Sequence, residues 1–519
     1  MTSTESTAAG AATTGAAATT GAGTTGAGAS RRRLGVPAVT IMIIAASAPL
    51  TVLAGGVTTA FAVTGVIGVP LSYLLLGLVL AVFAVGYAAM SRYVVNAGAF
   101  YAYIAQGLGR PLGVGSSLVA LVSYNAMQIG IYGLFGFTVS SQLAVWFGIS
   151  VPWWVPVLVG IAVVGVLGVN RVDLSAKVLG ILVVLEFVVV IVFDVASFAV
   201  APEGPSVAAL DPANLFVPGI GAVLAFGIAA FMGFESAAIY GEESKDPKRT
   251  VARATYLAVG IIALFYMVSA WAMTVGIGPS AVIGESATQG PDLIFDFMAL
   301  HLGQIVADLG HVLFITSLFA ALVSFHNAVA RYFFSLGREG VLPAALGRVR
   351  ERSGAPAVGS LTQTVLAVVV VAVFAIAGAS WVPPEGLPTE LFPVLTLFTW
   401  LTNAGALGLV LLMTVVSIAV IGFFRRHRDA DAGPWSRVIA PALAAVALAT
   451  VLVLIIANFT VLLTSDPTAP ATATTFILPA IVIVPGLIGI VWGLVLRRRN
   501  PRVYEQIGHG AEEHPNELG

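Results

Sequence analysis

Glu235 is an acid in an apolar run. It lies in GAVLAFGIAAFMGFESAAIYGEESKDPKRTVAR, residues 221–253, two positions after Gly233. A carboxylate at membrane depth costs roughly 2.5–3.5 kcal/mol even on the mild insertion scale, so it implies a cavity, a partner or a proton. Three chemistries fit it: carrying a proton, holding a substrate ammonium, or a structural hydrogen bond to a neighbouring helix. Gly233 interrupts the same helix. A broken helix at that depth is tolerated only where its freed backbone groups face protein or a water-filled site. Glu186 is a second acid in an apolar run, with the same choices: a proton, a cation, or a hydroxyl partner. Asp194, two turns further along, reads as structural. The first apolar run carries a matching interruption, Ala-Ser-Ala-Pro-Leu-Thr at 46–51. Pro49 has no N–H, so carbonyls near Ala45–Ser47 lose partners. Pro and Gly also occur in membrane helices as mere kinks, but two interruptions in corresponding positions, one beside an acid, favour a site at a repeat interface.

Other chemistries find no support. The chain has no cysteine, which excludes disulfides and cysteine-ligated metals. His311 and His326 have no further ligands in the pattern, and there is neither a Ser/His/Asp constellation nor a phosphate-binding loop. ATP-driven pumping is therefore not expected. A membrane-embedded enzyme or a receptor is the rival from another class, but the first needs a catalytic pair and the second a sizeable attached domain. No cofactor and no nucleic-acid partner are expected.

The elements that position these residues follow from composition. Of 519 residues 58% are hydrophobic and only 9% charged, where soluble domains carry about 25% charged residues. Twelve apolar runs predict an all-α polytopic membrane protein: 36–63, 68–91, 112–142, 152–169, 174–200, 218–240, 252–277, 304–336, 357–378, 391–421, 436–462 and 474–496, each near or above the ~20 residues a crossing needs. With this count all 24 Lys and Arg fall on one side of the membrane. Acids such as Glu203, Asp211, Glu285, Asp292 and Glu390 occupy the other. The positive-inside rule then puts both termini in the cytoplasm. Residues 1–33 are almost wholly Ala, Thr, Gly and Ser before three arginines, a composition expected to be a disordered tail and not a signal peptide. Residues 34–499 are expected to form one twelve-helix membrane domain, and 500–519 a polar, loosely ordered cytoplasmic C-terminal tail. Residues 291–300 are too short to span and predict a half-buried helix on the outer face, either a lid or an ordinary loop helix. Glu242, Glu243, Lys248 and Arg249 form either a solvated charged loop or an inner gate.

Three stretches then carry a resemblance. Gly233-Phe234-Glu235 through Gly241-Glu242-Glu243-Ser244-Lys245-Asp246-Pro247-Lys248-Arg249-Thr250 resembles the sixth-span signature of the amino acid–polyamine–organocation permeases. Asn96-Ala97-Gly98-Ala99-Phe100-Tyr101-Ala102-Tyr103 resembles that family's glycine-rich segment after span 2, and Asn327-Ala328-Val329-Ala330-Arg331 through Gly337-Arg338-Glu339-Gly340-Val341-Leu342-Pro343 its end of span 8. The resemblance covers about 35–500. It implies a leucine-transporter-like five-plus-five inverted repeat with two further C-terminal helices, alternating access, and small amine-bearing substrates. The family's usual Gly-Ser/Ala-Gly-Ile in span 1 is replaced here near Ala48-Pro49-Leu50-Thr51. By this resemblance Ala48, Leu50, Thr51, Met232 and Gly233 are backbone contacts to substrate. Phe231 and Phe234 either cap the substrate or merely pack. Gln128 and Tyr101 resemble residues lining the site. Ala229 stands where some relatives carry a bulky aromatic, implying a roomier pocket. Glu235 and Glu186 become the proton-coupling candidates, although some proton-coupled relatives have a lysine near the latter.

The expectation is a plasma-membrane permease that imports amino acids by alternating access, driven by a proton gradient or, as the alternative, sodium. An exchanger, or a carrier of polyamines or other organic amines, is the nearest rival. Polyamines would call for more acids in the cavity than the sequence offers. The lipid bilayer and a small amino acid or amine are the expected partners, with the protein a monomer or homodimer.

Overall fold

The computed structural model describes residues 35–94, 100–170, 176–235, 246–350, 354–383 and 387–508. The N-terminal tail, the segment 96–99 and the sixth-span continuation 236–245, with Glu242 and Glu243, lie outside them. Among the described residues every regular element is helical. Ten helical segments are long and apolar enough to cross a membrane, and two shorter apolar helices, Trp154–Val169 and Ile220–Phe231, accompany them. These twelve fall on the twelve apolar runs.

The first run is two pieces. α1 (Val36–Ser47) ends at the break, a π-helical turn spans Thr51–Val57, and α2 (Thr58–Thr64) completes it. α3 (Val69–Met90) and the short α4 (Phe100–Leu108) lead into α5 (Arg110–Phe147). Pro70 and Pro111 open α3 and α5 in their first turns, where a missing N–H costs nothing. α6 (Trp154–Val169), α7 (Ala176–Val200) and α8 (Ile220–Phe231) follow. α9 (Pro247–Ile277) starts on Asp246, whose carboxylate accepts the Arg249 N–H, a side-chain N-cap. Two short helices, α10 (Val282–Gln289) and α11 (Leu293–Leu302), lie between α9 and α12 (Gln304–Arg338). α13 (Ala357–Gly378), α14 (Thr399–Arg426), α15 (Ala440–Ala457), α16 (Ala473–Arg499) and α17 (Pro501–Gln506) complete the chain.

α5 is the axis of the bundle. Its most apolar window is 89% buried, against 17% for α13 at the periphery. α5 packs against α4, α6, α12, α14 and α16. Gly115 and Gly489 allow α5 and α16 to touch: a Cβ on Gly489 would stand 2.8 Å from the Gly115 Cα, the small-residue contact that membrane helices use for close approach. Around this axis, α7 shows which face meets lipid. Ile181, Val184, Val188, Ile191 and Val195 form an exposed apolar stripe at helical spacing, while Glu186 and Asp194 are turned inward and buried.

Residues 291–300 fall on the 3-10 turn Gly290–Asp292 and on α11. α11 lies against α12, and α10 lies against α2, so α10 covers the end of the broken first run. Within the polar C-terminal tail, Pro501–Gln506 is helical and Ile507 is buried against Tyr101, Leu336 and Leu496.

Candidate functional site

The two interruptions are built differently. At the first, Ala48 takes the left-handed conformation, φ 50°, ψ 77°, and its N–H returns to the carbonyls of Ala45 and Ile44. A residue with a Cβ pays roughly 1–2 kcal/mol in that conformation. In a continuous helix the Leu50 N–H would go to the Ala46 carbonyl. It donates instead to the Glu186 carboxylate, 3.1 Å away on α7. Ser317 on α12 donates to the same carboxylate oxygen at 2.9 Å, and Thr51 donates to Ser317 at 3.2 Å. One buried acid therefore joins α7, the first break and α12.

At the second break, α8 stops at Phe231. Met232 is extended, with ψ 131°, and Gly233 has φ +107°. L-residues rarely adopt that φ. A Cβ there would also stand 2.9 Å from the Ala46 side chain, so Gly233 lets the two breaks touch. Glu235 folds back on its own segment and accepts the Gly233 N–H at 3.0 Å. Tyr124 of α5 donates to its other carboxylate oxygen, and Tyr87 of α3 donates to its backbone carbonyl at 2.9 Å. Ser47 ties the breaks together, donating to the Ala230 carbonyl at 2.8 Å and meeting the Tyr266 hydroxyl at 2.5 Å.

A cavity of about 500 Å³, its open mouth included, lies where these pieces meet. Its wall comes from five places. The first break gives Ala46, Ser47, Ala48, Thr51, Val52 and Gly56; α8 and its end give Phe226, Ala229, Ala230 and Met232. Met127 and Ile131 come from α5, Ala321 and Phe325 from α12, and Phe398 and Thr402 from the π-helical turn that leads into α14 and from its first turn. The pairs are mostly i, i+4, one face of each helix. α1 and α8 both end at this cavity, so their C-terminal carbonyl ends converge on it, the arrangement that favours a cation such as an ammonium group.

The expected residues divide. Ala48, Thr51 and Met232 line the cavity. Leu50 and Gly233 use their N–H groups on the two acids instead. Phe231 and Phe234 are fully buried behind the wall, Phe234 edge-on to Phe83 with centroids 6.0 Å apart. Gln128 sits one position past Met127, which turns it about 100° away. It donates to the Leu322 carbonyl at 3.3 Å and accepts from Gln363, in a network with His326 and Ser360. Tyr101 is at the far end of α12, where its hydroxyl donates to Glu339 under α17. Burial pushes the Glu339 carboxyl up to about 7, against opposing hydrogen bonds from Tyr101 and Gly508. Asp194 accepts from Ser269 at 2.8 Å. His311 pairs with Asp292 at 3.5 Å, and no group of three or more metal-ligating side chains occurs among the described residues.

Ser47, Met127, Ile131, Phe226, Phe325, Phe398 and Thr402 were not singled out by type. Their signal was spacing: each repeats at i, i+4 beside an interruption or on a facing helix. Phe398 closes a π-helical turn, Val394–Phe398, placed after Pro393.

Residues 35–506 match the amino acid permease family. The chain belongs to that family. It is a multi-pass membrane transporter, not an enzyme, and the family implies an amino acid substrate. Its relatives include the branched-chain amino acid permease of Lactococcus lactis, 28% identical over 63% of this chain and 72% of the relative. The gamma-aminobutyric acid permease of Escherichia coli is 27% identical over 36% of this chain and 39% of the relative. An uncharacterized transporter of Mycobacterium tuberculosis is 28% identical over 49% of this chain and 64% of the relative.

Proposed function

We propose that this permease imports amino acids across the plasma membrane by alternating access, coupled to protons through Glu186, Glu235 or both. The observation that carries the proposal is the cavity walled by both interruptions, with a buried carboxyl bonded to a freed N–H beside each. The converging carbonyl ends of α1 and α8 suit the substrate ammonium, and the amide end of the π-helical turn from Thr51 suits its carboxylate. On this reading Ala48, Thr51 and Met232 touch the substrate, and Leu50 and Gly233 hold the breaks open. Gln128, Phe231 and Phe234 form the layer behind the wall, and Tyr101 stands away from the cavity at the α12 end.

The proton role is supported by the partners of the two acids. Glu186 accepts from an amide and a hydroxyl, Glu235 from an amide and a phenol. Among the described residues none of these partners is a cation, which suits each acid to take a proton as its counter-charge. We place the twelve apolar helices in a five-plus-five inverted repeat with two further helices, both termini cytoplasmic. The corresponding breaks in the first and sixth runs and the one-sided basic residues support that placement.

Uptake into proteoliposomes tests the proposal, with an inward proton gradient and, separately, a sodium gradient. Amino acid accumulation with the proton gradient alone is expected. Accumulation that follows sodium alone would transfer the coupling to a cation held by Glu186, Thr51 and Ser317.

A further inference from the structure

The wall of the cavity also bears on which amino acids enter it. Among the described residues its side chains are apolar or hydroxyl, and none is ionisable. The three hydroxyls already have partners for their protons. Ser47 donates to the Ala230 carbonyl, Thr51 to Ser317, and Thr402 to the Phe398 carbonyl at 2.7 Å. Glu186 and Glu235 are bonded to the breaks and do not line the cavity. Away from the breaks, Met127, Ile131, Phe226, Phe325 and Phe398 supply large apolar surfaces from four separate elements.

Resting on the permease reading above, we propose that the preferred substrates are zwitterionic amino acids with large apolar side chains, leucine-like or aromatic, and that Ala229 sets their upper size. The zwitterion meets the backbone of the breaks, and the side chain lies between Met127 and Ile131 of α5 and the Phe226–Ala229 face of α8. A lysine or glutamate side chain would be buried there without a counter-charge, and a diamine would bury its second ammonium in the same way. Both carry an uncompensated desolvation cost. Glycine and alanine fit but leave apolar wall uncovered. Each methylene gained or lost in an apolar pocket changes selection roughly 10–200-fold. Ala229 is half-buried and lines the cavity, so a longer side chain there projects into the space the substrate side chain needs.

The test uses the full chain in proteoliposomes under one inward proton gradient. Leucine, phenylalanine, alanine, glycine, lysine, glutamate and putrescine are compared by kcat/KM, with a thermal-shift binding screen on the same set. Leucine and phenylalanine are expected to exceed alanine and glycine at least tenfold, and lysine, glutamate and putrescine by more. Ala229→Leu is expected to lower the leucine-to-alanine preference at least tenfold. Lysine, glutamate, glycine or putrescine matching leucine would overturn the substrate class while leaving an amino acid or amine permease in place. An unchanged leucine-to-alanine ratio in Ala229→Leu would overturn the role of Ala229. A chain that neither binds nor carries any of the seven would overturn this inference together with the proton-driven import proposed above, and would leave its family membership in place.

Discussion

The two breaks solve one problem in opposite ways. Each frees backbone groups in the middle of a packed bundle, and each uses a buried carboxylate to satisfy a freed N–H. At the first break the acid comes from another helix: Glu186 of α7 takes the Leu50 N–H, and Ala48 carries the left-handed turn despite its Cβ. At the second the acid is local: Glu235 takes the N–H of Gly233, two residues back, and a glycine carries the unusual φ. The difference separates two jobs. A carboxyl on a different helix changes the tie between α7, the first break and α12 when its charge changes. A carboxyl that bonds its own segment changes that segment and a single tie to another helix, the Tyr124 hydroxyl of α5.

The largest expected effect breaks this comparison most directly. Glu186→Gln is expected to reduce proton-driven accumulation at least tenfold while leaving counterflow exchange measurable. Either amide keeps an oxygen for its freed N–H, but Glu235 joins two elements where Glu186 joins three, so the loss of accumulation in Glu235→Gln should be the smaller of the two. If Glu235→Gln alone abolishes accumulation, the coupling belongs to the local acid and the contrast is reversed. Next, Gly233→Ala puts a side chain at φ +107° and 2.9 Å from Ala46. We expect a loss of about 1–3 kcal/mol, read as a lowered unfolding temperature, with transport falling alongside. Ser47→Ala removes the tie between the breaks. Leaving the Ala230 carbonyl and the Tyr266 hydroxyl short of a partner should cost about 1–3 kcal/mol by the same assay.

Glu339, a buried acid away from both breaks, is the control. The Glu339 carboxyl is raised by burial from 4.5 to about 7, so the folded chain binds more protons than the unfolded one between these values. The contribution is therefore full below the ordinary carboxyl pKa and is lost as pH rises through about 7. Rate-corrected amide exchange of residues 501–508 should be slower at pH 5.5 than at pH 8, a difference that Glu339→Gln removes. The smallest effect is at the first break. Ala48→Gly relieves the left-handed alanine at the expense of chain entropy, and is expected to move stability by less than about 1 kcal/mol.

Much of this was legible in residue types. Pro49, Gly233, Glu186 and Glu235 are each unfavourable in a plain lipid-facing helix, so their presence alone announced two interruptions and two acids. Gln128 and Tyr101 show where types stop helping. Both are polar residues among apolar ones, yet one turns toward Gln363 and His326, and the other packs under α17 against Glu339. Nothing in either local pattern distinguishes facing a cavity from facing a neighbouring helix.

By itself, then, the sequence determined the apolar runs, the segregation of charge and the places where helices cannot continue. Those follow from hydropathy and from the backbone limits of proline and glycine, which act over a few residues. Only the tertiary structure decided that Glu186 reaches Leu50 and Ser317, that Ser47 reaches Ala230, and that five separate elements close one apolar cavity. Those contacts join residues far apart in the chain, and the rotation and crossing of each helix that bring them together are fixed by packing against all its neighbours at once.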